Sequence, residues 1–259
     1  MNSLKSAMLD LRTFCNASKG TALFDLDGTL LYGDLGETAF LYALICNAID
    51  KQHYKTINYI QLRDMSWGEV YKRIQYSSEW ELICEYKELL NKSEFKKAYS
   101  LTAKYIEQFS ENKVLELTIE VFKQFFTPYT ITTPFGPINL FCKTNEMMLH
   151  LLQHCVSQGL DVLIVSGSPQ SVVESFHQVQ GLKNVQCIGA NSKLDIIPYA
   201  EGKPYLLAEI GITKDIVLAV GNSEGDKEML ELAQQSILFN CEDPDFMKVG
   251  FEKGWNVLC

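Results

Sequence analysis

The feature that most constrains this chain is a pair of carboxylates, Asp25 and Asp27, that follows a short apolar run ending at Phe24. The run has the composition of a buried strand in a parallel sheet. Open α/β sheets build their sites beyond the carboxyl ends of their strands, so the two carboxylates are expected to converge there. Two buried like charges repel and are poorly solvated, so the pair requires a cation or a proton. The alternative is a surface turn, where Asp and Gly are common.

Length and charge narrow the classes of function. With 259 residues the chain can bury one large core, or a core with an inserted domain. The net charge of −9 argues against nucleic acid as a partner, because a phosphate backbone requires a basic face. The same charge disfavours adsorption to anionic membranes, and the apolar runs are too short to span one. We therefore expect no stable membrane insertion and no nucleic-acid partner.

The cysteines and the first twenty residues indicate the cellular compartment of the protein. The eight cysteines are scattered, without the close pairs of zinc or redox motifs. Unpaired thiols are typical of a reducing compartment. The first twenty residues carry charges but no apolar stretch typical of a signal peptide. We therefore expect a cytoplasmic protein, although a protein secreted without a signal peptide would show the same pattern, and the oligomeric state is not indicated.

Strand and helix patterns alternate along much of the chain. After the first run, further buried strands are predicted at residues 160–165, 185–188, 215–220 and 236–239. The helices between them are predicted to begin near Thr144, Pro169 and Pro204 and to end at Gly159, Gly181 and Gly211. This alternation predicts an α/β fold with a Rossmann-like parallel sheet covered on both faces.

Residues 34–137 have a different character. They show long helical periodicities and no convincing strand, and residues 127–137 have the proline-rich composition of a linker. The simplest division is an α/β core domain of residues 1–33 and 138–259, interrupted by a helical cap domain of residues 34–137.

Three later motifs carry groups that complement the carboxylates. The hydroxyl of Ser166, beside Gly167 and a helix start, suits an anionic oxygen, although this is also an ordinary turn sequence. Lys203 opens a helix, where its charge is unfavourable unless an anion lies near, although it could be an ordinary surface lysine. Asn222 and Asp226 follow a strand and supply oxygen ligands of the kind that Mg²⁺ binds.

The order of these motifs after D-x-D-G-T resembles that of the haloacid dehalogenase (HAD) superfamily, in its phosphatase branch. The resemblance covers nearly the whole chain and is strongest to the phosphoserine phosphatase-like subclass, whose C1-type helical cap is inserted between the first two motifs. It implies a Mg²⁺-dependent phosphomonoester hydrolase acting on a small phosphate ester through an aspartyl-phosphate intermediate. Asp25 would be the nucleophile, Asp27 the general acid and base, and Lys203 the cation that steadies the nucleophile.

The resemblance also implies a set of binding residues. It assigns phosphoryl or substrate contacts to Thr29, Ser166, Gly167 and Lys203, and Mg²⁺ contacts to Asp25, the backbone carbonyl of Asp27, Asn222 and Asp226. Asn222 stands where the family usually has aspartate, so we expect Mg²⁺ binding that is weaker by about tenfold. The alternatives are a catalytically weak HAD-like protein that acts by binding, and phosphoryl transfer to an acceptor other than water.

Asp34 and Glu37 begin the cap segment. By resemblance, acids near these positions meet the amino group of phosphoserine or the quaternary amine of phosphocholine. Acids beside aromatic rings also suit a cationic ligand on physical grounds. The alternative is that they only begin a helix, where acids are favoured in any case. The first reading predicts an amine-bearing substrate, and the second predicts no such preference.

Overall fold

A computed structural model of the chain describes residues 19–50, 59–194 and 196–258. The described strands are β1 (Thr21–Phe24), β2 (Leu31–Gly33), β3 (Tyr129–Thr133), β4 (Gly136–Leu140), β5 (Cys142–Thr144), β6 (Asp161–Pro169), β7 (Val185–Ala190), β8 (Ile216–Gly221), β9 (Gln235–Phe239) and β10 (Asn256–Leu258). The described α-helices are α1 (Leu35–Asp50), α2 (Trp67–Ile74), α3 (Ser78–Asn91), α4 (Phe95–Ile106), α5 (Glu111–Gln124), α6 (Glu146–Ser157), α7 (Gln170–Val179), α8 (Gly202–Glu209), α9 (Lys227–Glu231) and α10 (Pro244–Glu252).

The central sheet has the strand order β10-β9-β8-β1-β6-β7, and its strand pairs are parallel. β1 lies in the middle and is buried along its length. Ala22 and Phe24 pack into the core on one face of the sheet, and Leu23 packs into the core on the other. Because successive side chains of a strand point to opposite faces, a strand covered on both sides must be apolar throughout. The predicted α/β fold is confirmed.

The helix ends around the sheet are largely those that the sequence predicts. Gly159, Gly181 and Gly211 follow helices with positive φ values of 82°, 60° and 83°. The predicted start at Thr144 is wrong by one residue, because Thr144 belongs to β5 and pairs with Leu31. Asn145 caps the helix instead, accepting a hydrogen bond from the backbone N–H of Met148.

Helices α1 to α5 fill the described part of residues 35–124. α1 is the most deeply buried of them and packs against the other four. The prediction that no strand follows them before residue 137 is wrong. β3 and β4 form an antiparallel hairpin in which Ile131 pairs with Ile138, and alternate residues of each strand are buried. Since residue 137 lies within β4, the domain boundaries stay a proposal.

Two further observations concern membranes and thiols. None of the helices within the described ranges combines the length and apolar character needed to cross a bilayer. Cys46, Cys84, Cys142 and Cys187 carry free thiols, whereas Cys15 and Cys259 lie outside the described residues.

Candidate active site

Asp25 and Asp27 leave the carboxyl end of β1 in a tight turn. The backbone N–H of Asp25 donates a 2.9 Å hydrogen bond to the carbonyl of Val220, which ties the turn to the end of β8. Gly28 has a φ of 78°, and a β-carbon there would lie 2.0 Å from Nδ2 of Asn222. The turn therefore requires glycine. Its absence of a side chain brings the loops after β1 and β8 into direct contact.

Lys203 connects the ends of three strands. Its Nζ donates to Oδ1 of Asp25 at 2.7 Å, to Oδ1 of Asp226 at 2.5 Å and to the carbonyl of Val165 at 2.8 Å. These contacts use the three donors of the ammonium group. Lys203 is only 2% exposed, and an unpaired charge at that depth is strongly destabilising. The lysine and its two carboxylates therefore stabilise one another.

Asp226 fixes the loop after β8. Its Oδ2 accepts hydrogen bonds from the backbone N–H groups of Asn222 and Ser223, at 2.9 and 3.1 Å, and from the Ser223 hydroxyl at 3.2 Å. Since Oδ1 bonds to Lys203, both carboxylate oxygens are engaged. These contacts make Asp226 an anchor for the loop and the lysine, and its assignment to the metal stays a prediction.

Asp27 is held at both carboxylate oxygens. Oδ1 accepts a 2.7 Å hydrogen bond from the backbone N–H of Leu35, and Oδ2 accepts from the hydroxyls of Ser168 and Ser166 at 2.6 and 3.0 Å. The sequence singled out Ser166 and Gly167 but missed Ser168. The spacing of Ser166 and Ser168 could have indicated Ser168, because residues two apart on a strand point to the same side and β6 continues to Pro169.

The electrostatics of the three central charged groups differ. Burial raises the pKa of Asp25 to about 8, repulsion from Asp226 adds to this, and Lys203 opposes it. Burial also raises the pKa of Asp27 to about 7, with repulsion from Asp34 in addition. Burial lowers the pKa of Lys203, but Asp226 and Asp25 outweigh this and leave it above its ordinary value. Asp27 is thus suited to exchange a proton near neutral pH, whereas Asp25 would ionise more readily beside another cation.

These groups lie on a cavity of about 530 Å³ between the sheet edge and the helices of residues 35–124. The acidic side chains that line it are Asp25, Asp27, Asp34, Glu37, Glu224, Asp226, Glu242 and Asp243. Among the described lining residues, Lys203 is the single lysine or arginine that faces them. So strong an imbalance in a concave site favours the binding of cations.

Asp34 and Glu37 both line the cavity, on the side of α1. Asp34 accepts a 2.6 Å hydrogen bond from the backbone N–H of Glu37, so it also caps the helix. Glu37 is hydrogen-bonded to Tyr86, which is buried. Burial raises the pKa of Asp34 and of Glu37 to about 7, and repulsion from Glu37 adds to the shift at Asp34. Asp34 and Glu37 therefore lie at the start of the helix and also face the cavity.

Of the remaining predicted site residues, some line the cavity and one does not. Ser166, Gly167 and Asn222 line the cavity with those already described, and a β-carbon on Gly167 would lie 3.2 Å from the ring of Tyr99. Thr29 is fully buried and is not among the lining residues, and its hydroxyl has no hydrogen-bond partner among the residues that the structure describes. Its predicted contact with substrate stays a prediction.

The donor set fits a hard cation. Within the described ranges, no three His, Cys, Asp or Glu side chains are grouped as a metal cluster. Mg²⁺, however, usually takes one or two carboxylates and completes its coordination with water and substrate phosphate. Asp25 bonds to Lys203 through only one oxygen, and the amide of Asn222 lies beside Gly28 on the cavity wall. These oxygens are of the type that Mg²⁺ prefers.

Comparison with known proteins decides the family. The model of the haloacid dehalogenase-like hydrolases matches residues 22–231. The chain belongs to this family. This confirms the membership that the order of the sequence motifs predicts, and with it the assignment of the protein as a hydrolase. The roles of individual residues stay predictions, as do the cytoplasmic location and the lack of a nucleic-acid partner.

The chain of this haloacid dehalogenase-like hydrolase is similar to several solved structures. A protein of unknown function from Bordetella pertussis Tohama I is 17% identical, with a TM-score of 0.60 over 93% of this chain and 98% of that one. A HAD family hydrolase from Salmonella enterica serovar Typhi is 13% identical, with a TM-score of 0.51 over 94% and 67%. A phosphoserine phosphatase, in a phospho-aspartyl intermediate analogue form, is 14% identical, with a TM-score of 0.46 over 93% and 92%. No curated protein matches the chain significantly.

Proposed function

We propose that this hydrolase is a Mg²⁺-dependent phosphatase that cleaves small phosphate monoesters through an aspartyl-phosphate intermediate. The observation that carries the proposal is the pairing of Asp25 with Lys203 at 2.7 Å, next to the hydrogen-bonded Asp27, on one cavity. Phosphoryl transfer depends mainly on positioning and on charge stabilisation. The turn after β1 supplies a nucleophile and a proton donor, and Lys203 of α8 supplies a fixed cation.

The reaction follows from these groups. A carboxylate oxygen of Asp25 attacks phosphorus, the bond from phosphorus to the ester oxygen breaks, and that oxygen takes the electron pair and a proton from Asp27. Water then attacks phosphorus and gives a proton to Asp27. The bond between phosphorus and Asp25 breaks in turn, which releases inorganic phosphate and restores the carboxylate. Lys203 stays charged and keeps the nucleophile in place.

Asp25, the backbone carbonyl of Asp27 and the amide oxygen of Asn222 would hold the Mg²⁺ ion. When bound, the ion supplies positive charge that screens the nucleophile from the phosphoryl oxygens. Asp226, whose two oxygens accept hydrogen bonds from Lys203 and from the loop after β8, stays a predicted ligand of the ion. The surplus of carboxylates on the cavity supports a requirement for added positive charge.

The cap side of the cavity supports an amine-bearing substrate. Asp34 and Glu37 face the cavity together with the rings of Tyr86 and Tyr99. Carboxylates and aromatic faces both attract an ammonium group. A cationic group placed there would neutralise negative charge on the cavity wall that Lys203 and a metal ion do not neutralise. We therefore propose a phosphoserine-like or phosphocholine-like ester.

The deciding experiment measures inorganic phosphate released by the purified protein from a panel of small phosphate esters, with Mg²⁺ and with EDTA. We expect Mg²⁺-dependent release that Asp25→Asn abolishes, and a phosphorylated Asp25 detectable by mass spectrometry after acid quenching. Product analysis would show whether an added alcohol, rather than water, receives the phosphoryl group. The second candidate is a binding protein with little activity, which Asn222 favours. Phosphate release by Asn222→Asp but not by the native chain would support it.

A further inference from the structure

Ser168 makes the shortest side-chain contact with the proposed proton donor. Its Oγ donates to Oδ2 of Asp27 at 2.6 Å, and the residue is 5% exposed. A β-carbon on Gly36 would lie 2.1 Å from the same Oγ. The hydroxyl is therefore confined between Asp27 and the backbone at the start of α1, and the second helical residue must be glycine to leave it room.

The two oxygens of Asp27 are held from opposite sides. The backbone N–H of Leu35, at the start of α1, donates to Oδ1, whereas Ser168, at the end of β6, donates to Oδ2. Hydrogen bonds at both oxygens define the plane of the carboxyl group. Proton transfer requires the acid to lie within hydrogen-bond reach of the reacting oxygen, so this plane determines where the proton can go.

Ser166 is less suited to this task. Its contact with Asp27 is longer, at 3.0 Å, and its Oγ also accepts a 3.0 Å hydrogen bond from the backbone N–H of Ser168. The family resemblance assigns Ser166 to the phosphoryl group. When a phosphoryl oxygen takes up the Ser166 hydroxyl, Ser168 is left as the side chain that holds Oδ2.

On the basis of the proposed phosphatase function, we propose that Ser168 is a positioning residue that orients Asp27 for protonation of the leaving-group oxygen. Ser168 exchanges no proton with the substrate. As the bond from phosphorus to the ester oxygen breaks, the proton passes from Asp27 to that oxygen. Ser168 acts on this step by fixing the direction in which the carboxyl group points.

The test compares two leaving groups in the full chain with Mg²⁺. An alkyl phosphate such as phosphoethanolamine releases an alkoxide that requires a proton, whereas p-nitrophenyl phosphate releases a stable phenolate that does not. We expect Ser168→Ala to lower kcat/KM about tenfold to a hundredfold for the alkyl ester, as loss of a supporting partner does elsewhere. The aryl ester should react at nearly the native rate. Because kcat/KM reports only steps up to the release of the first product, later hydrolysis does not obscure the comparison.

The matched control is Ser171→Ala, because the Ser171 hydroxyl is buried three residues along the chain and has no hydrogen-bond partner within the described ranges. It should leave both substrates unchanged. Retained aryl phosphatase activity of Ser168→Ala also shows that the variant is folded. Equal losses on the two substrates, or no loss on either, would overturn the role of Ser168. If the native protein hydrolyses neither ester, the proposed phosphatase function fails instead, and this inference with it.

Discussion

Lys203 Nζ lies 2.7 Å from Asp25 Oδ1, and both side chains are almost wholly buried. The same ammonium group lies 2.5 Å from Asp226 Oδ1. One ammonium group thus stands between two carboxyl groups that are held out of water. Neither carboxylate has another cationic side chain in contact within the described chain. The stability of this edge of the sheet therefore depends on the lysine as much as the proposed chemistry does.

We expect Lys203→Ala to lower the free energy of unfolding by about 3–5 kcal/mol, because it leaves two buried carboxylates unpaired. Urea unfolding in the presence of EDTA measures this loss. The control is Lys96→Ala, which removes an ion pair with Glu201 whose side chains are 54% and 70% exposed. An exposed pair contributes about 0–1 kcal/mol. A loss for Lys203→Ala no larger than that for Lys96→Ala would contradict the electrostatic account.

Gly28 gives a second test of the site's construction. With a φ of 78° and a potential β-carbon 2.0 Å from Asn222, it should not tolerate alanine. We expect Gly28→Ala to destabilise the protein by about 1–3 kcal/mol, since backbone strain and the contact add. Gly68→Ala is the matched control, because no other part of the described chain lies within 4 Å of a β-carbon at Gly68, apart from its neighbours in α2. That variant should be neutral or more stable by about 0.5–1 kcal/mol. Thermal unfolding distinguishes the two outcomes.

The carboxylate pair and the sheet could be predicted because their signals are local. A buried parallel strand must be apolar on both faces, and the chain must turn where Asp25 and Asp27 follow it. Glycines mark the ends of helices because a positive φ is needed there. The hairpin of β3 and β4 was missed because prolines at 134 and 137 suggested a linker. Pro137 is accommodated because it lies on a two-stranded ribbon rather than in a central strand.

The rest of the site depends on contacts between residues distant in sequence. Ser168 reaches Asp27 only because β6 continues past Val165, with a shift of register before Pro169. Tyr99 of α4 and Tyr199 of the core contact each other with ring centroids 5.6 Å apart, although a hundred residues separate them. No local pattern encodes such a pair. The contact of Lys203 with Asp226 likewise joins residues that no local pattern relates.

If Asn222 ligates the proposed Mg²⁺ ion, its neutral amide limits the affinity for the metal. Restoring a charged ligand with Asn222→Asp should tighten Mg²⁺ binding by about tenfold, because an amide oxygen ligates without charge. Isothermal titration with Mg²⁺ measures this directly, and the Mg²⁺ dependence of phosphate release measures it independently. Asn240→Asp adds the same charge to the wall of the same cavity at another place. If the two variants tighten binding equally, general charge rather than ligation by residue 222 accounts for the effect.

The acids at the start of α1 should make stability depend on pH. Burial raises the pKa of Asp34 and of Glu37 to about 7. In the unfolded chain they ionise near about pH 4, so between these values the folded protein binds more protons. Stability must therefore decrease as the pH rises through this range. We expect the urea midpoint in EDTA to fall from about pH 5 to about pH 8.

The double variant Asp34→Asn with Glu37→Gln is the control for this pH effect. Asparagine can still accept the capping hydrogen bond that Asp34 receives from the backbone of residue 37. The variant should therefore fold, and its urea midpoint should vary less with pH than that of the native chain. An unchanged slope would show that other groups cause the dependence.

The same acids should decide which ester is bound. Phosphocholine and glycerol phosphate are of similar size, but only the first carries a cationic group. We expect Glu37→Gln to raise KM for phosphocholine by about tenfold, the size of one lost charge-assisted contact, and to leave KM for glycerol phosphate nearly unchanged. Glu242→Gln, on the core side of the same cavity, is the control and should affect both esters alike. If Glu37→Gln changes KM for the two esters equally, the proposed preference for an amine-bearing substrate is wrong. The proposed roles of Asp25 and Lys203 do not depend on this result, because phosphate release tests them separately.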